Sequence, residues 1–115
     1  MEKYLGEFLG TMVLIVFGNG LGASLNLNKA IAKNFAPSWF TAVFAWGLAV
    51  TLGVYTAGFY NSGGHLNPSV TIAFAIGGSF PWDQVFGYII AQVAGAFVGA
   101  AIITVMYHTH FKETS

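Results

Sequence analysis

The side chains best suited to bind a solute lie in the short stretch SGGHLNPS, residues 62–69. Asn is a favoured N-cap and Pro is favoured at the first helical position, so Asn67 and Pro68 predict the start of a helix. Capping would use the side-chain oxygen of Asn67 to accept a hydrogen bond from the backbone of Ser69 or Val70. The amide nitrogen of Asn67 would then stay free to donate, at the positively polarised end of the helix.

Four residues directly before the cap predict an extended stretch with exposed carbonyl groups: Ser62, Gly63, Gly64 and His65. Glycine lets a backbone approach a ligand closely. A row of carbonyl acceptors beside a fixed amide donor suits neutral solutes that form hydrogen bonds, and it disfavours small cations, protons included. The alternative is an ordinary capped helix after a glycine-rich turn.

The composition of the whole chain places this stretch in a membrane. Of 115 residues, 56% are hydrophobic and only 7% are charged, and the mean hydropathy is +0.68. Soluble domains carry about 25% charged residues. A net charge of zero argues against nucleic acid as a partner. The absence of cysteine excludes disulfides and thiolate metal sites.

Three apolar stretches reach the length of about 20 residues that a membrane-spanning helix needs. They cover residues 4–27, 39–60 and 85–107. Aromatic residues typical of membrane interfaces mark their ends: Tyr4, Trp39, Tyr60, Trp82 and Tyr107.

The segment between the second and third spans, residues 61–78, is uncharged but too short to cross. A helix of ten residues covers about 15 Å, which is half of a ~30 Å hydrocarbon core. We therefore predict a re-entrant loop and half-helix. Non-helical backbone at that depth is tolerated where protein buries it or where it lines a water-filled path. The predicted fold class is an all-α membrane protein with three transmembrane helices and one re-entrant half-helix.

Three motifs resemble the aquaporin and glycerol-facilitator family. SGGHLNPSVTIA, residues 62–73, resembles its first signature loop, YLGEFLGTMVLIVFG resembles its first helix, and AQVAGAFVGA resembles its third helix. The resemblance implies that residues 1–115 form one of the two inverted repeats of such a channel. It also implies passive passage of glycerol, other small neutral solutes and water across the cell membrane.

The chain departs from the family pattern in ways that bear on its partners. It has one Asn-Pro where the family has two, and it has no Arg, which the family's outer filter takes from the second repeat. We therefore expect it to need a second half-channel or an inverted copy, with a family-like tetramer when complete. Gly64 and Ser69 each replace a usual Ala.

By resemblance, the pore-facing residues are Gly63, Gly64, His65, Asn67, Pro68, Ser69 and Trp46. Trp46 takes the outer-filter position, where an aromatic wall would receive the carbon backbone of a polyol. The alternative is that Trp46 faces lipid or a neighbouring helix. Glu7 is the only acid within the spans. The resemblance implies that Glu7 accepts hydrogen bonds from the re-entrant loop and braces it; the alternative is that it snorkels to the interface.

Other polar and small residues predict structural roles. Gly95 and Gly99, with Ala91 one turn earlier, form a small-residue stripe suited to close helix contact. Gln92 is expected to bond a helix or loop, with its role open. The histidines are too scattered to predict a metal site, and no cofactor is expected. Nothing predicts an enzyme, because there is no nucleophile–base pair, carboxylate pair or phosphate loop.

Two indications of how the chain is oriented in the membrane conflict with each other. The resemblance puts the N-terminus in the cytoplasm, which leaves Lys29, Lys33 and Lys112 outside, against the positive-inside rule. A missing second half, a dual-topology homodimer or a fragment of a longer protein would each explain the conflict, and we favour the fragment or a truncated gene product. The alternative function is a membrane remnant or assembly subunit without transport activity.

Overall fold

The computed structural model describes residues 1–34 and 38–114, and these residues are helical with no strand. The helices are α1 (Glu2–Asn26), α2 (Trp39–Gly58), α3 (Pro68–Ile76), α4 (Val85–Met106) and α5 (His108–Lys112). Short 3-10 helices cover Ile31–Asn34 and Trp82–Gln84. Three helical segments, Glu2–Asn26, Trp39–Gly58 and Trp82–Met106, are long and apolar enough to cross a membrane. The predicted fold class is confirmed.

Helix α1 packs antiparallel to α2. A Cβ atom added at Gly10 would lie 2.8 Å from the carbonyl oxygen of Gly53, and one added at Gly6 would lie 3.0 Å from that of Ala57. The positions on α1 rise as those on α2 fall, so α2 ends where α1 begins. Both contacts depend on glycine, since any side chain on α1 would push the α2 backbone away.

Helix α4 packs parallel to α1 on its other side. The glycine stripe faces α1: a Cβ at Gly95 would collide with the carbonyl oxygen of Phe8, and one at Gly99 would lie 2.9 Å from that of Met12. Close helix approach through small residues is a common way to pack membrane helices. The start of α1, the end of α2 and the start of α4 therefore share one end of the bundle, called the near end below. The opposite end is called the far end.

The segment between α2 and α4 leaves the near end and returns to it. Its Leu66 side chain reaches the level of Gly10, eight residues into α1, because Leu66 Cδ2 lies 2.7 Å from a Cβ built at Gly10. At 1.5 Å per residue this is about 12 Å below the first residue of that helix. Helix α3 then leads back toward α4 over nine residues, or about 14 Å. This path is the re-entrant loop and half-helix.

The tail beyond α4 forms a further short helix that the sequence did not predict. Tyr107 ends α4, and α5 follows at once over His108–Lys112. The tail is tied to the linker after α1, because the backbone N–H of Asn28 donates to Thr114 Oγ1 at 2.9 Å and Asn28 Nδ2 donates to the carbonyl of Glu113 at 2.9 Å. Hence the tail lies against the far end of the bundle.

Candidate functional site

The half-helix starts with a side-chain cap. Asn67 has extended backbone, with φ of −159°, and its Oδ1 accepts a hydrogen bond from the backbone N–H of Ser69 at 2.8 Å. Pro68 is the first helical residue, and the N–H of Thr71 donates to the Asn67 carbonyl at 3.1 Å. Asn67 is exposed, and within the described part of the chain its amide nitrogen has no hydrogen-bond partner. The cap therefore leaves a donor on the open side of the site.

The loop before the cap runs from Ser62 to Leu66 without a turn or a bend. Gly63 and Gly64 have φ of 78° and 68°, in the left-handed region that favours glycine, and Leu66 adopts φ of 58°. At Gly64 an added Cβ would also lie 3.1 Å from Val54 Cγ1. An Ala there would be strained both by its backbone angle and by this contact. The two glycines thus permit backbone angles that other residues would adopt only with strain.

Glu7 receives three hydrogen bonds at the base of this loop. Its Oε2 accepts from the N–H of His65 at 3.1 Å, and its Oε1 accepts from the N–H of Leu66 at 2.8 Å and from Gln92 Nε2 at 2.7 Å. The side chain is fully buried, with 0% exposure. Hydrogen bonds to a charged acceptor are the stronger class. The carboxylate thus holds two consecutive backbone donors directly before the helix cap.

Gln92 extends this arrangement to the half-helix. Its Nε2 also donates to Thr71 Oγ1 at 2.9 Å, and that hydroxyl lies 2.9 Å from His65 Nδ1. Thr71 and Gln92 are both buried. We call Glu7, His65, Thr71 and Gln92 the buried polar cluster. It joins α1, the loop, α3 and α4 through side chains.

Two members of this arrangement were missed from the sequence. Thr71 lies in an otherwise apolar helix one turn after the cap, and that contrast was a usable signal. Tyr88, almost fully buried, donates its hydroxyl to the carbonyl of Ser62 at 2.9 Å. Nothing local marks Tyr88, because its partner lies 26 residues away.

Aromatic rings surround the half-buried imidazole of His65. The ring of Phe74 is stacked on it at a centroid distance of 5.1 Å, Phe80 meets it edge-on at 4.8 Å, and Tyr88 lies at 5.1 Å. With Nδ1 against Thr71, the ring is held in one position. The described residues contain no group of three metal-ligating side chains.

Trp46 lies apart from the loop. Its ring covers Gly18 of α1 so closely that a Cβ there would collide with it, and the residue is half-buried. Along α2 it precedes Gly53, which contacts Leu66, by seven residues, or about 10 Å toward the far end. The ring therefore rests on a neighbouring helix, and its role at a filter stays a prediction.

The exposed residues of the loop and helix start are Gly63, Asn67 and Ser69, while Gly64, His65 and Pro68 are partly buried. The site therefore has a buried polar side, which fixes the backbone, and an open side that carries the Asn67 amide. Such an interrupted helix beside irregular backbone, about 12 Å inside an apolar bundle, is the construction that membrane transport proteins use for polar solutes.

Fold and site thus define an integral membrane protein with a polar site at a broken helix. A family model described as major intrinsic protein matches residues 1–115. The chain belongs to the major intrinsic protein family.

Curated relatives carry glycerol-related names. The chain is 52% identical over 112 residues to glycerol uptake facilitator protein 2 of Lactiplantibacillus plantarum, covering 97% of this chain and 47% of the relative. It is 48% identical over 114 residues to a probable glycerol uptake facilitator protein of Thermotoga maritima, covering 99% and 47%. With the glycerol uptake facilitator protein of Bacillus subtilis it shares 47% identity over 114 residues, covering 99% and 40%. The chain spans about half the length of these relatives.

Proposed function

We propose that this chain forms one half of a passive channel for glycerol, other small neutral solutes and water. The observation that carries the proposal is the free amide of Asn67. Its oxygen is committed to the cap, so the nitrogen is presented in a fixed direction from the positive end of α3. A solute hydroxyl can accept from this nitrogen without any rearrangement of the protein.

The loop supplies the complementary acceptors. Its N–H groups at His65 and Leu66 point to Glu7, so they are withdrawn from the open side. Carbonyl groups of the Gly63–His65 coil are then left as acceptors for solutes that also donate. A glycerol hydroxyl does both, while a cation would meet the positive helix end. The names of the relatives, as glycerol uptake facilitators, support this class of solute.

A complete pore requires a second contribution. Helix α3 covers about 14 Å, roughly half of a ~30 Å core. We propose that a second half-channel, or an inverted copy of this chain, opposes the Asn67 end, and that complete channels assemble as tetramers. In the complete pore Trp46 would form the aromatic wall that receives polyol carbons. Its present contact with Gly18 leaves one face of the ring for that purpose, because the residue is only half-buried.

Permeability of reconstituted vesicles tests the proposal. The chain alone should give no glycerol or water flux above that of empty vesicles, and co-expression with a second half from a relative should produce flux by stopped-flow light scattering. If a correctly folded assembly of both halves remains impermeable, this chain is a membrane subunit without transport activity.

The variant Asn67→Asp tests the role of residue 67 as a hydrogen-bond donor separately from its role as a helix cap. Aspartate caps helices as well as asparagine does, so folding should be kept, but it offers no amide donor. We predict at least a tenfold fall in glycerol flux, about the loss expected from a hydrogen bond of ~1.4 kcal/mol. The matched control is Asn26→Asp, whose side chain bonds only the carbonyl of Gly22 at the far end. Equal flux through both variants would show that Asn67 is only a helix cap.

A further inference from the structure

The two ends of the bundle differ in charge. The far end carries three lysines, Lys29, Lys33 and Lys112, and all three are exposed. The acids Glu2 and Asp83 belong to the near end together with Lys3. At the far end the described acidic side chain is Glu113. The molecule is neutral overall, yet its far end is basic.

The tail brings Lys112 to the linker that carries the other two lysines. Asn28 binds Thr114 and Glu113 across 86 and 85 residues of chain, so Lys112 lies beside the linker that carries Lys29 and Lys33. The ammonium of Lys33 is held by Asn28 Oδ1 at 2.7 Å, a neutral acceptor that leaves its charge uncompensated. Among residues 1–34 and 38–114, none of these lysines forms an ion pair within 4 Å.

Exposed apolar side chains lie at the same end of the bundle as the lysines. At this end Trp39 is 82% exposed, Phe40 is 75% exposed and Ile31 is 76% exposed. Phe111, next to Lys112 in the sequence, is 44% exposed. Aromatic side chains beside lysines are typical of the boundary between acyl chains and headgroups, where the ring enters the membrane and the ammonium stays at its surface.

We propose that Lys29, Lys33 and Lys112, called the far-end basic surface, bind the headgroups of anionic phospholipids. An anionic headgroup supplies the negative charge that this surface lacks, whereas a zwitterionic headgroup brings its own ammonium group to the lysines. The apolar side chains at the same end place the surface at headgroup depth. The proposed ligand is the phosphate of a membrane lipid, because side chains at headgroup depth contact the lipids of the bilayer.

Quenching by brominated lipids tests the proposal at each end of the whole chain separately. One reporter variant keeps Trp39 as its only tryptophan, and the other keeps Trp82 at the near end. Each is reconstituted in phosphatidylcholine with equal fractions of brominated phosphatidylglycerol or brominated phosphatidylcholine. We expect about a fivefold preference for phosphatidylglycerol at Trp39, as one lysine–lipid contact gives, and none at Trp82. Equal quenching by the two lipids at Trp39, or the same preference at Trp82, would overturn the proposal.

Charge removal supplies the matched control. Changing Lys29, Lys33 and Lys112 together to Gln should abolish the preference at Trp39, while Lys3→Gln should keep it. Circular dichroism establishes that both variants are folded. Sodium chloride and sodium phosphate at equal ionic strength should weaken the preference equally, by screening. A stronger effect of phosphate would mean that the surface binds free anions instead, and a preference that survives in the triple variant would contradict the assignment to these lysines.

Discussion

A fully buried carboxylate is the central residue of the site. Glu7 has no exposed surface, and three donors from the loop and α4 meet its two oxygens. A buried donor that loses its acceptor costs about 1–3 kcal/mol. The side chain therefore determines whether the loop keeps the path that presents Asn67 on its open side. We expect its role to be positional, since it is fully buried whereas the Asn67 side chain is exposed.

Removal of this carboxylate should destabilise the protein strongly. In Glu7→Ala the N–H groups of His65 and Leu66 and the amide of Gln92 lose an acceptor, so we predict a loss of at least about 2 kcal/mol in the free energy of unfolding. Denaturant unfolding in detergent micelles measures it. The matched control is Glu2→Ala, because the exposed Glu2 accepts only from Asn61 Nδ2. A loss no greater than in the control would mean that the loop keeps its shape without Glu7.

The residue types around the cap were predictable, but their long-range partners were not. Capping by Asn67 depends on neighbours within two residues, so the sequence alone indicates it. The bond from Gln92 to Glu7 joins residues 85 positions apart, and nothing near either residue identifies the other. The pore role of Trp46 stays a prediction. Its contact with Gly18 appears only when α1 and α2 are packed together.

At the scale of elements, helix spacing is set by glycines rather than by large apolar side chains. The backbones of α1 and α4 meet where Gly95 lies against Phe8 and Gly99 against Met12. Close approach brings Gln92, one turn before Gly95, within reach of Glu7. The separation of these two helices and the geometry of the buried polar cluster are therefore linked.

A methyl group added at the α1–α4 interface should lower the free energy of unfolding, whereas one added at an open position on α2 should raise it. In Gly95→Ala the new Cβ meets the carbonyl oxygen of Phe8, which belongs to a helical backbone and cannot turn away. We predict a loss of about 1–3 kcal/mol. In Gly47→Ala nothing lies within 4 Å, so alanine should stabilise α2 by about 0.5–1 kcal/mol. Unfolding of both variants in the same detergent tests the pair, and equal effects would show that the α1–α4 contact tolerates a wider spacing.

Most of the helices could be predicted from the lengths of the apolar stretches in the sequence. Hydrophobic runs predict three spans and one short helix, and the structure has all four. The failures lie where backbone conformation decides. The left-handed angles at Gly63, Gly64 and Leu66 were not predicted, and neither was α5, a short polar helix that follows α4 directly. The lengths of apolar stretches predict which segments enter a membrane, but they do not predict the backbone conformation of the connecting segments.

At the scale of the whole molecule, the described termini lie at opposite ends. Three spans and one returning segment require this, since the half-helix does not change the side of the membrane. The buried polar cluster belongs to the near half, and the basic surface belongs to the far end. One leaflet of the bilayer thus surrounds the part with the buried polar cluster, and the other leaflet adjoins the basic surface.

Labelling from the two sides of a membrane tests this layout. The chain has no cysteine, so Lys3→Cys and Glu113→Cys each introduce a single exposed thiol without removing a side-chain hydrogen bond. In sealed vesicles of uniform orientation, an impermeant maleimide should reach one position from outside and the other only after permeabilisation. Labelling of both positions from the same side would show that one of the three long helices does not span.

The hydrogen-bond partners of Glu7 are synthesised well after Glu7 itself. The helix that carries this acid is synthesised before its partners, because its backbone donors come 58 residues later and the amide of Gln92 comes 85 residues later. At about 5–20 residues per second, a ribosome needs about 4–17 seconds to deliver the last of them. During that time the first span holds an acid in or beside the lipid without its native partners, which costs a few kcal/mol. The arrival of α4 therefore completes the bundle and also supplies the last partner that the buried acid lacks until then.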